Sequence, residues 1–470
     1  MRLASASGRW LIVVAVLGSG IAFLDGTVVN VALPSIGEHL ETGLSGQQWV
    51  LDGYLLTLGA LLLAGGAAGD RYGRRRIFLY GLVAFTVASV ACGVAPNAGV
   101  LIGARMVQGI GAAALIPGSL ALITSSIDPR DRARAIGIWA GMSGVTSALG
   151  PFLGGYLVDA ASWRWVFLIN VPLAAIALPL ALKHVPESKD DSARARGPFD
   201  ILGAVLVTVG LAGLVYGLIE GSSLAWNAAT IGAVAVGAAV LAAFLWRETK
   251  APAPLLPLKL FASKQFSGAN AATFVVYAAL SVSMFLLTLQ LQQSLGYSAL
   301  AAGAATVPTT IIMMIGSPSV GTLAARIGPR IPMTIGPIVA GVGLAMMALI
   351  VPGSSFVGTV LPAVVVFSIG LTITVTPLTS AMLDAAPPAF VGAASGVNNA
   401  ISRIGGLLAV AALPAVAGIT AAPGEPLGSG FAVAMIISAG LCAAGGVISG
   451  FTIDGKPRDA PQTRSAAQPA

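Results

Sequence analysis

Long apolar runs recur along the whole chain, and they constrain its fold more than any other feature. Fourteen of them are long enough to cross the hydrocarbon core of a bilayer as helices, which takes about 20 residues each. The runs lie at 10–33, 47–68, 77–95, 100–123, 134–158, 164–182, 200–220, 229–246, 266–291, 301–321, 332–351, 358–383, 390–418 and 430–450. With 56% hydrophobic and 9% charged residues, little is left for a water-soluble domain. The sequence predicts an all-α polytopic membrane protein with fourteen transmembrane helices.

Basic residues gather in alternate loops, and this bias predicts the orientation. If the N-terminus is cytoplasmic, 22 of the 25 Lys and Arg residues lie on the cytoplasmic side, and only Arg164 lies outside. Lys and Arg in short loops are poorly translocated, so we expect both termini in the cytoplasm and the chain in a cell membrane. The same bias accounts for the net charge of +7 without a nucleic-acid partner.

An internal repeat divides the chain. The segment from Gly66 to Arg75 recurs from Gly321 to Arg330, and the offset of 255 residues lays helices 1 to 5 onto helices 9 to 13. Two six-helix halves in the same orientation are therefore predicted, with a substrate path between them. We expect an N-terminal bundle at 1–183, a linker with two extra helices at 184–265, a C-terminal bundle at 266–452 and a disordered cytoplasmic tail at 453–470.

The first copy of the repeat carries a charged motif, GGAAGDRYGRRR. Small residues permit close helix approach, while an acid among arginines can form ion pairs across the interface between the halves. The motif resembles the loop motif of the major facilitator superfamily, which implies a cytoplasmic gate. Ala325 replaces the acid in the second copy, so the gate should be asymmetric. The alternative, a plain basic loop, explains the arginines but neither the acid nor the glycine spacing. The gate residues are Gly66, Asp70, Arg71, Gly73, Arg74 and Arg75.

Helix 5 carries glycines at three- and four-residue spacing around a proline. Such a face lets helices from opposite halves approach closely, and the proline permits a bend. The segment resembles the antiporter motif of helix 5 in the same superfamily, with Gly144, Gly150, Pro151, Gly154 and Gly155 in the matching positions. A packing face in a chain with 59 glycines is the alternative.

Further segments narrow the resemblance. LDGTVVNVALP in helix 1, WVLDGYLL in helix 2, WRWVFLINVP and the fourteen-helix count are similar to the drug:proton antiporters of the QacA and EmrB type. The resemblance implies the major facilitator fold and proton-coupled multidrug efflux with antibiotic resistance. It further implies alternating access of helices 1–6 against helices 9–14.

Charged side chains inside apolar spans are costly and usually functional. A rise of about 1.5 Å per residue places Asp25 about 13 Å, Asp52 about 8 Å and Arg105 about 9 Å from the outer ends of their spans. We expect Asp25 to be the coupling or substrate-sensing acid, Asp52 the second candidate, and Arg105 their partner. The alternatives are a structural hydrogen bond between Asp25 and a neighbour such as Asn30, and a helix N-terminal role for Asp52.

Arg403 lies near mid-membrane in helix 13. An ion pair across the halves and recognition of an anionic group are both open for it.

The resulting hypothesis is a proton-coupled antiporter that exports amphipathic small molecules and works as a monomer in membrane lipid. Catalysis is not indicated, because His39 and His184 fall on opposite faces and the chain has no phosphate-binding Gly-x-x-x-x-Gly-Lys-Ser/Thr loop. We expect no metal and no cofactor beyond the proton gradient. A symporter or facilitator of a specific metabolite, and a non-transporting receptor or scaffold, are the alternatives.

Overall fold

The chain forms a bundle of membrane-length helices. A computed structural model describes residues 1–190, 197–223, 226–387, 390–419 and 425–455, and this part contains fourteen helices long and apolar enough to span a membrane. The prediction of fourteen spans in an all-α protein is confirmed. The helices are α1 (Ala6–His39), α2 (Leu44–Tyr72), α3 (Arg74–Gly93), α4 (Ala98–Ser126), α5 (Pro129–Ala160), α6 (Trp165–His184), α7 (Ile201–Ser223), α8 (Ala228–Glu248), α9 (Lys264–Ser294), α10 (Ala299–Ile327), α11 (Arg330–Met347), α12 (Phe356–Asp384), α13 (Val391–Val416) and α14 (Ser429–Thr452).

Most helices extend beyond their apolar runs. The α1 helix begins at Ala6, where the Ser5 hydroxyl accepts a hydrogen bond from the backbone N–H of Gly8, and it continues past the run to His39. Capping side chains satisfy the free N–H groups at a helix start, so a helix can begin before its apolar part. The α6 helix ends at His184 and α9 begins at Lys264, beside the boundaries predicted at 183 and 265. Residues 456–470 of the predicted tail lie outside the described residues.

The offset of 255 residues relates the helices of the two halves. It carries Leu44–Tyr72 onto Ala299–Ile327, and the glycine after each helix, Gly73 or Gly328, has a positive φ of 116° or 84°. Side chains are disfavoured in this region, so glycine ends both helices. The packing repeats as well. Helix α4 contacts α2 and α3 as α12 contacts α10 and α11, and α1 contacts α5 as α9 contacts α13.

The two inserted helices pack as a pair against the seam between the halves. Every fourth residue of α7 from Val207 to Ile219 is buried in one apolar cluster with Leu56 of α2 and Leu407 of α13. Helix α8 packs on the other side of α7. The α7 helix therefore contacts both halves.

Helix α5 packs on the C-terminal half at one face of the bundle and leaves a space at the other. We call the face with the N-terminus and the α4–α5 loop the basic face, where the Met1 ammonium donates to the Ser126 carbonyl oxygen. At the opposite face, α5 packs against α10, and the Gln292 amide of α9 donates to the carbonyl of Val31 in α1 at 3.0 Å. Toward the basic face, an added Cβ at Gly137, Gly141 or Gly144 would meet no atom within 4 Å. By helical spacing these three glycines lie on the same side of α5 as Pro151 and Gly155, which pack on α10, so α5 leaves a space between the halves toward the basic face.

Candidate functional site

An ion pair between Asp25 of α1 and Arg105 of α4 lies at the centre of the N-terminal half. Neither side chain is exposed, and Arg105 Nη1 donates to Asp25 Oδ2. The second carboxylate oxygen, Oδ1, accepts from Gln108 Nε2 at 2.7 Å and from Asn170 Nδ2 at 3.1 Å. Both oxygens of Asp25 are therefore occupied by donors from α4 and α6.

The guanidinium of Arg105 is held by further contacts. Its Nε donates to the Val50 carbonyl at 3.0 Å, Nη1 also donates to Gln108 Oε1 at 2.7 Å, and the Tyr54 ring centroid lies 4.3 Å from Cζ. Ser89 of α3 accepts from the Gln108 and Asn170 amides at 2.8 and 3.2 Å. One network thus joins α1, α2, α3, α4 and α6. Charged side chains are tolerated away from water when they are paired and hydrogen-bonded. This network therefore connects the helices of the N-terminal half.

Asp25 and Arg105 were predicted to lie at similar depths in their spans, and the structure places the two side chains in contact. The neighbour suggested for Asp25, Asn30, instead donates weakly to backbone carbonyls of its own helix, at 3.4 Å to Gly26 and 3.5 Å to Thr27. Asn170 takes that role, and sequence reasoning missed it. The only signal was a lone amide inside the apolar stretch that follows Trp163.

Asp52 is buried at the junction of three helices. Its neighbours one turn away on α2 define the site: the Gln48 amide donates to the Val410 carbonyl of α13 at 2.6 Å, Trp49 Nε1 donates to Glu220 of α7 at 2.8 Å, and Leu56 packs against both helices. A side chain bracketed by these residues on a helix lies between α7 and α13. Asp52 is unexposed, and neither of its oxygens has a hydrogen-bond partner among the described residues.

Arg403 lies on the α13 face that meets α2. Its Cζ is 5.7 Å from the centroid of the Phe23 ring, which belongs to α1 of the other half. Its Nε is buried without a hydrogen-bond partner in the described part of the chain. Arg403 is separate from the Asp25–Arg105 network and is only half-buried.

The predicted gate residues lie together at the basic face. Asp70 pairs with Arg74 one turn later at 2.7 Å, and Arg71 donates to the Gly197 carbonyl. Arg75 Nη1 donates to the Val185 carbonyl at 3.0 Å, and Gly66 faces Pro117 of α4. Every side-chain contact shown for Asp70 and these arginines, within the described residues, stays inside residues 1–200. Among the described residues these side chains form no pair across the halves in this conformation, and the gate role stays a prediction.

Glu187, which no sequence pattern indicated, binds the start of α3 within this motif. Its carboxylate accepts from the backbone N–H groups of Arg75 and Arg76 at 3.0 and 3.1 Å, at the start of α3. An added Cβ at Gly73 would lie 2.9 Å from that carboxylate.

The helix 5 motif contacts two different partners. An added Cβ at Gly150 or Gly154 would collide with α1 of the same half. At Gly155 it would meet the Ala299 carbonyl of α10, while the Pro151 carbonyl lies against Gly303 of α10. Gly144 faces open space. The motif therefore packs across the halves at its Pro151–Gly155 end in this conformation.

Asp159 connects the two halves at the opposite face, and it too was not indicated by the sequence. Its carboxylate oxygens accept from the backbone N–H groups of Ala299 and Leu300 at 3.1 and 2.9 Å. A carboxylate at a helix N-terminus satisfies free donors and the helix dipole, here across the two halves. It lies after the apolar run of its helix, where acids are common, so the sequence did not single it out.

Comparisons with known proteins agree with this architecture. A family model described as Major Facilitator Superfamily matches residues 15–410. The chain is 39% identical over 440 residues to a methylenomycin A resistance protein of Bacillus subtilis (strain 168), covering 92% of each chain. It is 37% identical to the multidrug resistance protein Stp of Mycobacterium tuberculosis, covering 85% of this chain and 74% of that protein.

Two further matches extend the comparison. The chain is 33% identical to a tetracenomycin C resistance and export protein of Streptomyces glaucescens, covering 86% and 74% of the two chains. A crystal structure of a bacterial homologue of the human lysosomal transporter Spinster superposes with a TM-score of 0.66 at 16% identity, covering 96% of this chain and 97% of that one. The chain belongs to the Major Facilitator Superfamily and is a multi-pass membrane transporter, not an enzyme.

Proposed function

We propose that this protein is a proton-coupled antiporter that exports amphipathic small molecules by alternating access between its two halves. Relatives at 33–39% identity are named for resistance to methylenomycin A, for multidrug resistance, and for tetracenomycin C resistance and export. In this proposal the transporter works as a monomer in a cell membrane and uses the proton gradient without another cofactor.

The positive-inside rule assigns the basic face and both termini to the cytoplasm. The open space between the halves would then admit cargo from the cytoplasm, and closure of that face would expose it to the outside. Impermeant thiol labelling tests this orientation. Cys92 and Cys442 are both buried, so single cysteines at Ser5 and Ser354 provide reporters for the two faces. Labelling of Ser5→Cys from outside intact cells would contradict the assignment.

The observation that carries the coupling proposal is the buried carboxyl of Asp52 at a junction between the halves, which has no hydrogen-bond partner in the part of the chain that the structure describes. A carboxylate without a counter-charge is costly inside a membrane, so we assign it the neutral form while the α2–α7–α13 junction is closed. Movement of α13 against α2 would hydrate the group and release its proton. Asp52 can thereby change its protonation state with the conformation of the transporter.

Asp25 has a structural role in this proposal. The sequence ranked it ahead of Asp52, but both of its oxygens are already occupied by donors from Arg105, Gln108 and Asn170 of the same half. We therefore assign Asp52 to the proton and Asp25 to the framework of the N-terminal half.

Proteoliposomes with an internal pH dye test the proposal. Methylenomycin A and tetracenomycin C are the first compounds to assay, because relatives are named for them. Proton movement opposite to compound movement supports antiport. Movement in the same direction supports a symporter, and absence of flux with either compound and with a broad drug panel supports a receptor.

Asp52→Asn should abolish proton exchange while the protein still folds, whereas Gln48→Leu at the same junction should keep it. Wild-type proton exchange in Asp52→Asn would contradict the assignment of Asp52.

A further inference from the structure

We infer that the space between the halves selects cargo that carries an acidic group, and that Arg403 binds that group. The inference rests on the proposed function, since it names the chemical class of cargo for the same transport path. An amphipathic organic anion, with a carboxylate on an apolar or aromatic body, is the cargo that fits.

Arg403 extends from α13 across the interface between the halves. It is residue 13 of the 26 in α13, so both ends of the span are about 20 Å away by helical rise. Its Cβ would lie 3.4 Å from a Cβ added at Gly59 of α2, and its guanidinium reaches the Phe23 ring of α1 at 5.7 Å. A side chain that extends from one half to the other at this depth takes its partial exposure from the interior space and not from lipid.

The Arg403 guanidinium lacks a counter-charge in the described part of the chain. No ion pair to Arg403 occurs within the described residues, and its Nε is buried without an acceptor. An arginine stays charged at all working pH values and offers five donors in one plane, a geometry that matches a carboxylate. An unpaired cation at this depth is costly, which indicates a ligand as its counter-ion.

The other deep charges do not compensate it. Asp25 and Arg105 neutralise each other and are fully buried within the N-terminal half. Asp52 is enclosed at the α2–α7–α13 junction and does not pair with Arg403. Of the four ionisable groups predicted deep in the spans, only Arg403 therefore presents its charge to the space, and this charge is positive.

Phe23 supplies the second part of the site. Its ring lies near the guanidinium, where a cation–π contact helps to orient Arg403. The same ring offers an apolar surface beside the bound acid. A cargo with an acidic group next to an aromatic or aliphatic body would meet both features at once.

Ligand-induced thermal stabilisation of the purified full-length chain tests the inference without a proton gradient. The probes are a panel of amphipathic aromatic carboxylates, each paired with its methyl ester, and ethidium as a cation. We expect the carboxylates to bind wild type at least about tenfold more tightly than their esters. Arg403→Gln should remove this preference, and Arg403→Lys should keep part of it. Phe23→Leu is the comparison variant: acids and esters should both bind more weakly because both lose the aromatic surface, while most of the preference for acids should remain because Arg403 is still present.

Several results would overturn the inference: no carboxylate binding more tightly than its ester, tighter binding of ethidium than of the acids, or an unchanged preference in Arg403→Gln. If the Arg403→Gln variant does not fold, the comparison of acids, esters and ethidium on the wild-type protein still tests the inference. Proteoliposome assays separate the two proposals. Acid-selective binding without proton exchange would refute proton coupling alone, and proton-coupled export restricted to cations or esters would refute the role of Arg403 alone.

Discussion

Arg105 of α4 donates to Asp25 of α1 in a contact from which water is fully excluded, and three further groups fix its geometry: the Val50 carbonyl and the amides of Gln108 and Asn170. The pair links the helix nearest the N-terminus to the centre of its half. Removal of one partner is expected to cost folding stability mainly because the other charge is then left buried and unpaired.

We predict that Asp25→Asn destabilises the protein by about 3–5 kcal/mol, because it leaves the Arg105 guanidinium buried without a counter-charge. Thermal or denaturant unfolding in detergent measures the change. The matched control is Asp70→Asn, which removes the partly exposed pair with Arg74 and should change stability by less than about 1 kcal/mol. Adding Arg105→Met to Asp25→Asn should restore part of the loss. Equal effects of the two asparagine variants would show that the pair has no special weight.

Asp52→Val should have the opposite effect on stability. Replacing an unpartnered buried carboxyl by an apolar side chain of similar size removes a desolvation cost of about 1–3 kcal/mol. The melting temperature should therefore rise while proton exchange is lost. A fall in melting temperature would mean that Asp52 has a stabilising partner in the folded protein.

Asp159→Ala should weaken closure of the opposite face. The substitution removes the acceptor for the Ala299 and Leu300 N–H groups, and loss of a helix cap costs about 0.5–2 kcal/mol. The population open at the opposite face should rise by a factor of about 2–30. Distances between spin labels on α5 and α10 would report the shift. Thr306→Ala, which loses a bond within α10 only, serves as the control.

Sequence patterns predicted the helices well because the bilayer sets their length and composition. They placed Asp25 and Arg105 at one depth for the same reason. They did not show which way a side chain points around its helix, since that depends on how α1, α4 and α6 pack. For this reason Asn170 was missed, and the patterns gave a depth for Asp52 but not its position at the α2–α7–α13 junction. Asp159 and Glu187 were missed because they lie outside the apolar runs and act by accepting backbone N–H groups.

The helix 5 glycines provide a test of the two conformations. In Gly155→Ala, the new methyl group would collide with the Ala299 carbonyl of α10, so closure of the opposite face should be impaired. Gly144→Ala should leave the present conformation unchanged, because its Cβ meets nothing within 4 Å. If the basic end of the motif packs across the halves after the conformational change, Gly144→Ala should still slow transport. Spin-label distances at the opposite face combined with flux measurements distinguish these effects. Identical behaviour of both variants would contradict separate roles along α5.

The position of α7 has a mechanical consequence. This helix is fastened to α2 of one half and to α13 of the other through the same row of side chains, from Val207 to Ile219. When the halves rock, α7 must either slide along one of them or tilt with the other and leave a gap filled by lipid. The inserted pair would thus cover the interface between the halves throughout the movement. Its packing on both halves would limit how far and how fast the two bundles rotate against each other.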